Sequence, residues 1–493
     1  MAPARRGRRS VTDATGVRRH AVGRNGTAAG RAVFIGATVV FALVALPVVV
    51  RGAPLSDDLV NCLDPERAGL ASFLGDSFER LGILRRAHLL EIVITNLSCE
   101  RLTFGAAIAL TAVLSGCVAV LLRGLLRELA VPEPWASAGG ALYLLQPLGT
   151  EAALWPAAMH IPFGLAAALG ALRLHRSGRH GWGTVAVLVA VLSVEQVVLA
   201  LPLAAWFVTP RARRPRAVWS TVGVVVLVVA VAVIWPGDDP RLRVGLAERV
   251  AGLVSDPLFV IALPAVGIGA ASIPLAAAWA FPWSVAVITT GAVAGGAVGR
   301  SAPDAPSGSP AGRDAWPVVY AAGCLVAASL APVVLSVPHQ GSPRVFTPTW
   351  LVLSATIPMV AARLRRGVVV GVALGAFASG AALSMALSAF VRVRTADIVE
   401  HASYRIAAEA STGETVALCG VTRTVVDPAP RGSFAVSEFI YPWAAERVVR
   451  YYTGEDVHFV LAGELWNRPC PSEDEVDRIF WFADLVEDAR VDA

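Results

Sequence analysis

Long apolar runs follow one another along the chain, at residues 32–50, 102–122, 135–150, 157–173, 182–194, 196–208, 217–235, 316–335, 346–362 and 367–390. A helix needs about 20 mostly apolar residues to cross a bilayer, so each run predicts a span or one that tilts or extends into its neighbours. The stretch 256–298 is also apolar but is interrupted by Pro257, Pro264, Pro274 and Pro282. It predicts one span plus a re-entrant segment, or two spans. With a single crossing there, the fold class is an α-helical polytopic membrane protein with about eleven transmembrane helices.

The polar stretches divide the chain further. Residues 1–30 carry Arg5, Arg6, Arg8, Arg9, Arg18, Arg19 and Arg24 among Gly and Ser and predict a disordered cytoplasmic tail. Residues 31–391 form the transmembrane domain, with a long first extracytoplasmic loop at 51–101. Residues 392–493 form a small C-terminal extracytoplasmic α/β domain. Within it the pattern predicts a helix at 392–411, a strand at 415–421, a helix at 442–453 and a strand at 457–463, a βαβ unit with parallel strands. The acidic tail from Glu473 to Asp492 predicts a solvated helix.

Composition supports the bilayer reading, because 55% hydrophobic residues with only 16% charged leave too little polar surface for a soluble core of 493 residues. Every basic side chain is Arg, and together with abundant Ala, Val, Gly and Leu this points to a GC-rich bacterial source. The net charge of +5 does not indicate nucleic acid, since the arginines are dispersed through short loops. They fit the positive-inside rule instead. A cytoplasmic N-terminus places Arg123/Arg127, Arg173/Arg176/Arg179, Arg211/Arg213/Arg214/Arg216 and Arg363/Arg365/Arg366 inside, and the C-terminus outside, a bacterial cell membrane. No small-residue cleavage site follows the run at 32–50, which reads as a retained anchor.

Cysteines test this topology independently, since disulfides persist outside and rarely inside. Cys62 and Cys99 fall in the first outer loop, and Cys419 and Cys470 in the C-terminal domain, as two candidate pairs. Cys117 and Cys324 lie in spans and read as inert packing residues.

Three outer segments carry candidate chemistry. Asp57 and Asp58 follow the first span, where one carboxylate can act as a base while its neighbour caps a helix; simple capping by Ser56 or Asp57 is the plainer reading. Arg85, Arg86 and His88 lie in the same loop. Glu151 and Trp155 are four apart and would share a helix face, and Glu195 repeats a carboxylate at the next outer turn. Either glutamate can instead pair structurally with a first-loop Arg. His339 and Arg344 lie in the third segment, where an outer Arg fits a phosphate-bearing ligand or snorkels to lipid headgroups.

The Asp57-Asp58 pair, the Pro147/Glu151/Trp155 turn, the Ser193-Val194-Glu195 turn and the Gly341–Pro348 loop with Arg344 together resemble the GT-C type of integral membrane glycosyltransferases. The resemblance implies sugar transfer from a polyprenyl-phosphate carrier to an extracytoplasmic glycan, lipid or protein acceptor. It also implies that Asp58, with Asp57 as substitute, is the base; by their own chemistry Arg85, Arg86, His88, Glu151, Trp155, Glu195, His339 and Arg344 are the substrate-binding candidates. No cofactor or metal ligand set is implied, although a divalent metal is compatible. The rival classes are a membrane transporter or lipid flippase, using Glu151 and Glu195 along a path, and a polysaccharide polymerase or ligase. Against a transporter stand the absence of an inverted repeat and the long first loop. Against a polymerase stands the shortness of the loop at 336–347.

Overall fold

The computed structural model describes residues 13–54, 57–80, 86–146, 151–234, 282–301, 316–336, 346–364, 367–421, 442–463 and 468–492. Helix dominates. The first helix, α1 (Asp13–Arg51), holds the apolar stretch Thr27–Arg51 and extends it N-terminally through residues expected to be disordered. Ala and Arg are strong helix formers, and a formed apolar helix propagates into them at little cost.

Among the described residues, five helices are long and apolar enough to cross a membrane: Thr27–Arg51 of α1, α5 (Phe104–Glu128), the segment Pro156–Ser177 containing α8 (His160–Ser177), α11 (Arg214–Ile234) and α15 (Gly367–Glu409). Shorter apolar segments lie in α9 (His180–Ser193), α10 (Val197–Val208), α13 (Trp316–Ser336) and α14 (Thr347–Ala361). The run expected at 135–150 becomes the 12-residue α6 (Glu133–Leu144), too short to cross unaided.

These helices bury one stripe and expose another that is equally apolar. On α1, Ala37, Phe41, Ala45 and Val48 point into the bundle, while Ile35, Val39, Leu43, Leu46 and Val50 point out. An outward face of that composition is the surface a bilayer covers, and the chain is a membrane-embedded protein in this sense. Cys117 also lies on the outer surface of α5 and does not pack, contrary to expectation.

Of the stretch 256–298, the described part is α12 (Pro282–Ser301). It runs antiparallel to α15, and the two interlock through glycines. Gly291, Gly295 and Gly299 face Gly375, Gly371 and Gly367, and a Cβ at Gly295 would sit 1.9 Å from the Gly371 carbonyl oxygen. Only Gly lets two backbones approach so closely. The antiparallel pairing puts Pro282 at the end of the bundle to which α15 ascends, and Ser301 at the opposite end.

The loop at 51–101 folds into three helices, α2 (Asp57–Ala68), α3 (Leu70–Arg80) and α4 (Ala87–Arg101). A disulfide joins α2 to α4 through Cys62 and Cys99.

The C-terminal unit is a three-stranded parallel sheet in the order β2-β1-β3. Its strands are β1 (Thr415–Cys419), β2 (His458–Ala462) and β3 (Arg478–Trp481), with α16 (Pro442–Thr453) before β2 and α17 (Phe482–Asp492) after β3. The expected βαβ unit is present, but the acidic tail contributes a strand before its helix. Cys419 and Cys470 are disulfide-bonded beside the sheet. No linker separates the unit from the bundle, because α15 is one helix of 43 residues. Its Ile398, Val399, Ala402 and Ile406 share a core with Val416, Leu418, Phe459 and Leu461 of the sheet and with Leu59 of α2.

Candidate functional site at the carboxylate end of the bundle

The C-terminal end of α1, the beginnings of α5 and α8, the first-loop helices and the C-terminal unit meet at one end of the bundle. Asp58 organises it. Its side chain is fully buried, with Oδ2 accepting a hydrogen bond from Trp155 Nε1 at 2.9 Å and Oδ1 accepting one from the Ala157 backbone N–H at 2.9 Å. Both oxygens are held by neutral donors, and a buried carboxylate needs such partners to stay in place. Asp57, one residue earlier, is exposed.

Trp155 and Glu151 do not share a helix face. The short helix α7 (Glu151–Leu154) ends because Pro156 disfavours helical geometry at the residue before it, and Trp155 is extended with φ −94° and ψ 116°. A 3₁₀ turn, Pro156–Ala158, then leads into α8. The break swings the indole towards Asp58. Arg392, 3% exposed on α15, donates from Nη1 to the Leu154 carbonyl at 3.1 Å and fixes the other side of the same turn.

Behind Asp57 lies a cluster of two imidazoles and a carboxylate. Glu91 is 4% exposed, with Oε2 2.7 Å from His160 Nδ1 and Oε1 3.6 Å from His88 Nδ1. His88 and Glu91 are three apart on α4 and therefore neighbours on its surface, whereas His160 opens α8. The two rings pack with centroids 3.8 Å apart. Burial pushes the Glu91 carboxyl above the usual carboxylate range; His160 opposes the shift and the charge of Asp57 adds to it.

The C-terminal unit closes the site from above. Arg447 of α16 forms a two-pronged pair with Asp64 of α2 at 3.0 and 2.9 Å, and Arg67 pairs with Asp456. Arg51, at the end of α1, binds Asp397 at 2.6 Å and also Glu400, both on α15. Tyr451 stands edge-on to Tyr452. Its hydroxyl is pushed above the ordinary phenol value first by burial, with Arg51 opposing and Glu400 and Asp58 adding to the effect.

The other expected site residues are distributed differently. Arg86 stacks on Phe78 at 3.5 Å and donates to its carbonyl, which ties it to α3; partial burial lowers its guanidinium pKa. Glu195 lies half-buried at the turn between α9 and α10. Arg85, His339 and Arg344 lie outside the described residues, as does the side chain of Glu151. Sequence reasoning passed over His160, Arg392, Arg51 and Tyr451 as site residues. The one local signal was polarity at a span boundary, as at His160 and Arg392, where a charged or hydrogen-bonding group needs a reason to be.

An apolar cavity of ≈ 360 Å³ lies deeper in the bundle, between α5, α8, α10, α13 and α14, lined by residues such as Leu126, Leu169, Leu201, Leu325 and Leu351. Compared with family models, curated proteins and solved structures, the chain matches none.

Proposed function

We propose that the chain is an integral membrane glycosyltransferase that moves a sugar from a polyprenyl-phosphate carrier to an extracytoplasmic acceptor. The observation that carries this reading is the joining of Asp58 to the Trp155–Ala157 turn. It gathers an exposed carboxylate, a His/Glu cluster and the tyrosines of the C-terminal unit at one end of an apolar bundle, the end that a lipid-linked phosphate would meet in this proposal. Asp57 is the base in this proposal, because both Asp58 oxygens already accept N–H donors while Asp57 is exposed. Asp58 is then a positioning residue.

In the reaction, Asp57 takes the proton of the acceptor hydroxyl as that oxygen attacks the anomeric carbon. The new C–O bond forms, the bond to the carrier phosphate breaks, and the phosphate leaves with the electron pair. The departing anion needs positive charge nearby, a role assigned to Arg344 and Arg85. The leucine-lined cavity offers room for part of an isoprenoid chain.

The finer topology belongs to the same proposal: eleven crossings in a bacterial cell membrane, with the arginine tail in the cytoplasm and the C-terminal unit outside. Both disulfides lie at the proposed outer end, as an oxidising compartment requires. Helix α12 packs glycine against glycine on α15, and in this proposal it supplies one crossing.

Membranes from cells expressing the chain, supplied with radiolabelled polyprenyl-phosphate sugar, test the reading. Asp57→Asn is expected to lower transfer by about 10²- to 10⁴-fold, the usual contribution of a positioned base. Full transfer by both Asp57→Ala and Asp58→Ala would remove the base assignment. Movement of the carrier across the membrane without transfer would place the chain among transporters.

A further inference from the structure

We propose that His88, Glu91 and His160 form a binding site for a first-row divalent cation, with zinc the ion their chemistry fits best. Their ligand atoms all lie within 4.8 Å of one another. Both imidazoles turn Nδ1 towards the two oxygens of one buried carboxylate, at 2.7 and 3.6 Å. Two nitrogen ligands and one carboxylate make a three-ligand set of the kind that leaves a fourth position open on zinc. Magnesium and calcium prefer oxygen alone, so imidazole chemistry separates the site from theirs.

Electrostatics disfavours the doubly protonated pair and leaves imidazole lone pairs for an ion. Rings 3.8 Å apart would repel if both were protonated, and one carboxylate neutralises only one of them. If both are neutral, each offers a lone pair, and a cation between them satisfies all three groups. A second observation comes from the next turn of α4. Thr95 follows Glu91 by four residues on the same face, and its hydroxyl is fully buried with no hydrogen-bond partner among the described residues. The polar character of this helix face thus extends beyond what the side chains satisfy among themselves.

The site is also held in advance of binding. The Cys62–Cys99 disulfide fixes α4 to α2, and the Asp58 contacts fix the turn that delivers His160. A ligand set drawn from two helices binds tightly only when the helices are held in register. The charge of Asp57 also acts on Glu91.

Metal content is read without any sugar substrate, so this inference stands or falls separately from the transfer reaction. The full chain, purified in detergent with a tag that contains no histidine, is stripped with chelator, reloaded with zinc chloride and freed of excess ion. One zinc per chain is expected by elemental analysis, and cobalt in its place should give visible absorption bands. Glu91→Gln and His160→Ala should bind at least about tenfold more weakly, while His458→Ala, altering an exposed histidine on β2, should retain the ion. Thiol counting confirms that Cys62–Cys99 is intact in each variant. Wild-type protein that takes up no zinc or cobalt would overturn the proposal, as would folded variants that hold as much as wild type.

Discussion

The two ends of the helical bundle both use arginine, but in opposite ways. At the end where α5, α8, α10 and α14 terminate, guanidinium groups outnumber their acidic partners. Arg123 and Arg127 share Glu133 at 3.0 and 2.8 Å, and Arg173 takes Glu128 at 2.7 Å. Others settle on carbonyls at helix ends, Arg176 on Val208 and Arg363 on Met359. At the opposite end several carboxylates have a defined partner, Asp58 the Trp155–Ala157 turn, Glu91 two histidines, Asp64 Arg447, and Asp397 Arg51, while Asp57 stays exposed. Surplus charge on loosely matched partners suits orientation in a membrane, which depends on the number of charges. Tight pairing among buried groups suits a site, which depends on geometry.

Three changes test that contrast. The largest effect is expected from Asp58→Ala, which removes the acceptor of the buried Trp155 and Ala157 N–H groups. At about 1–3 kcal/mol for each, the loss should appear as a marked fall in thermal midpoint in detergent, with altered Trp fluorescence. An unchanged midpoint would put this end on the same footing as the other. Cys99→Ser comes next, releasing the loop closed across a separation of 37 residues, for a cost of about 2–4 kcal/mol. Limited proteolysis should then cut between α2 and α4 first; equal resistance to wild type would show that the disulfide holds nothing together. The smallest effect belongs to Arg127→Ala, whose side chain is 57% exposed. It should change the midpoint by no more than about 0.5 kcal/mol in equivalent stability, and a larger loss would mean that the arginine end is a built site too.

What could be read in the sequence follows the range of the interaction. Apolar runs report burial or lipid exposure residue by residue, so α5, α8, α11 and the first part of α15 were legible, and so was the strand order β1, α16, β2. The cysteine pairs were legible as well, because topology confined each pair to one segment. Glu91 and His160 are 69 positions apart and Arg51 and Asp397 are 346 apart, so no local spacing could reveal them. The shared face expected of Glu151 and Trp155 failed for a local reason that was visible, namely Pro156. β3 was hidden because its four residues sit within an acidic stretch and alternate only weakly in burial. In Asp57 and Asp58 the pair was visible, but which member faces water was decided by a partner nearly a hundred residues away.

Helix α15 joins the two levels of the molecule without a hinge. Its 43 residues span about 65 Å at 1.5 Å per residue, roughly twice the thickness of a hydrocarbon core. Arg392 grips the turn beside Asp58, and Ile398 begins the contact with the sheet less than two turns later. The bearing of the C-terminal unit over the site is therefore set as an angle around one axis. Adding or deleting one residue between Arg392 and Ile398 would turn that unit by about 100°, carrying Tyr451 off the site, while an added seven residues would nearly restore the bearing but lift the unit by about 10 Å. The helix acts as a fixed spindle, and chain length along it is a dial for what the site can face.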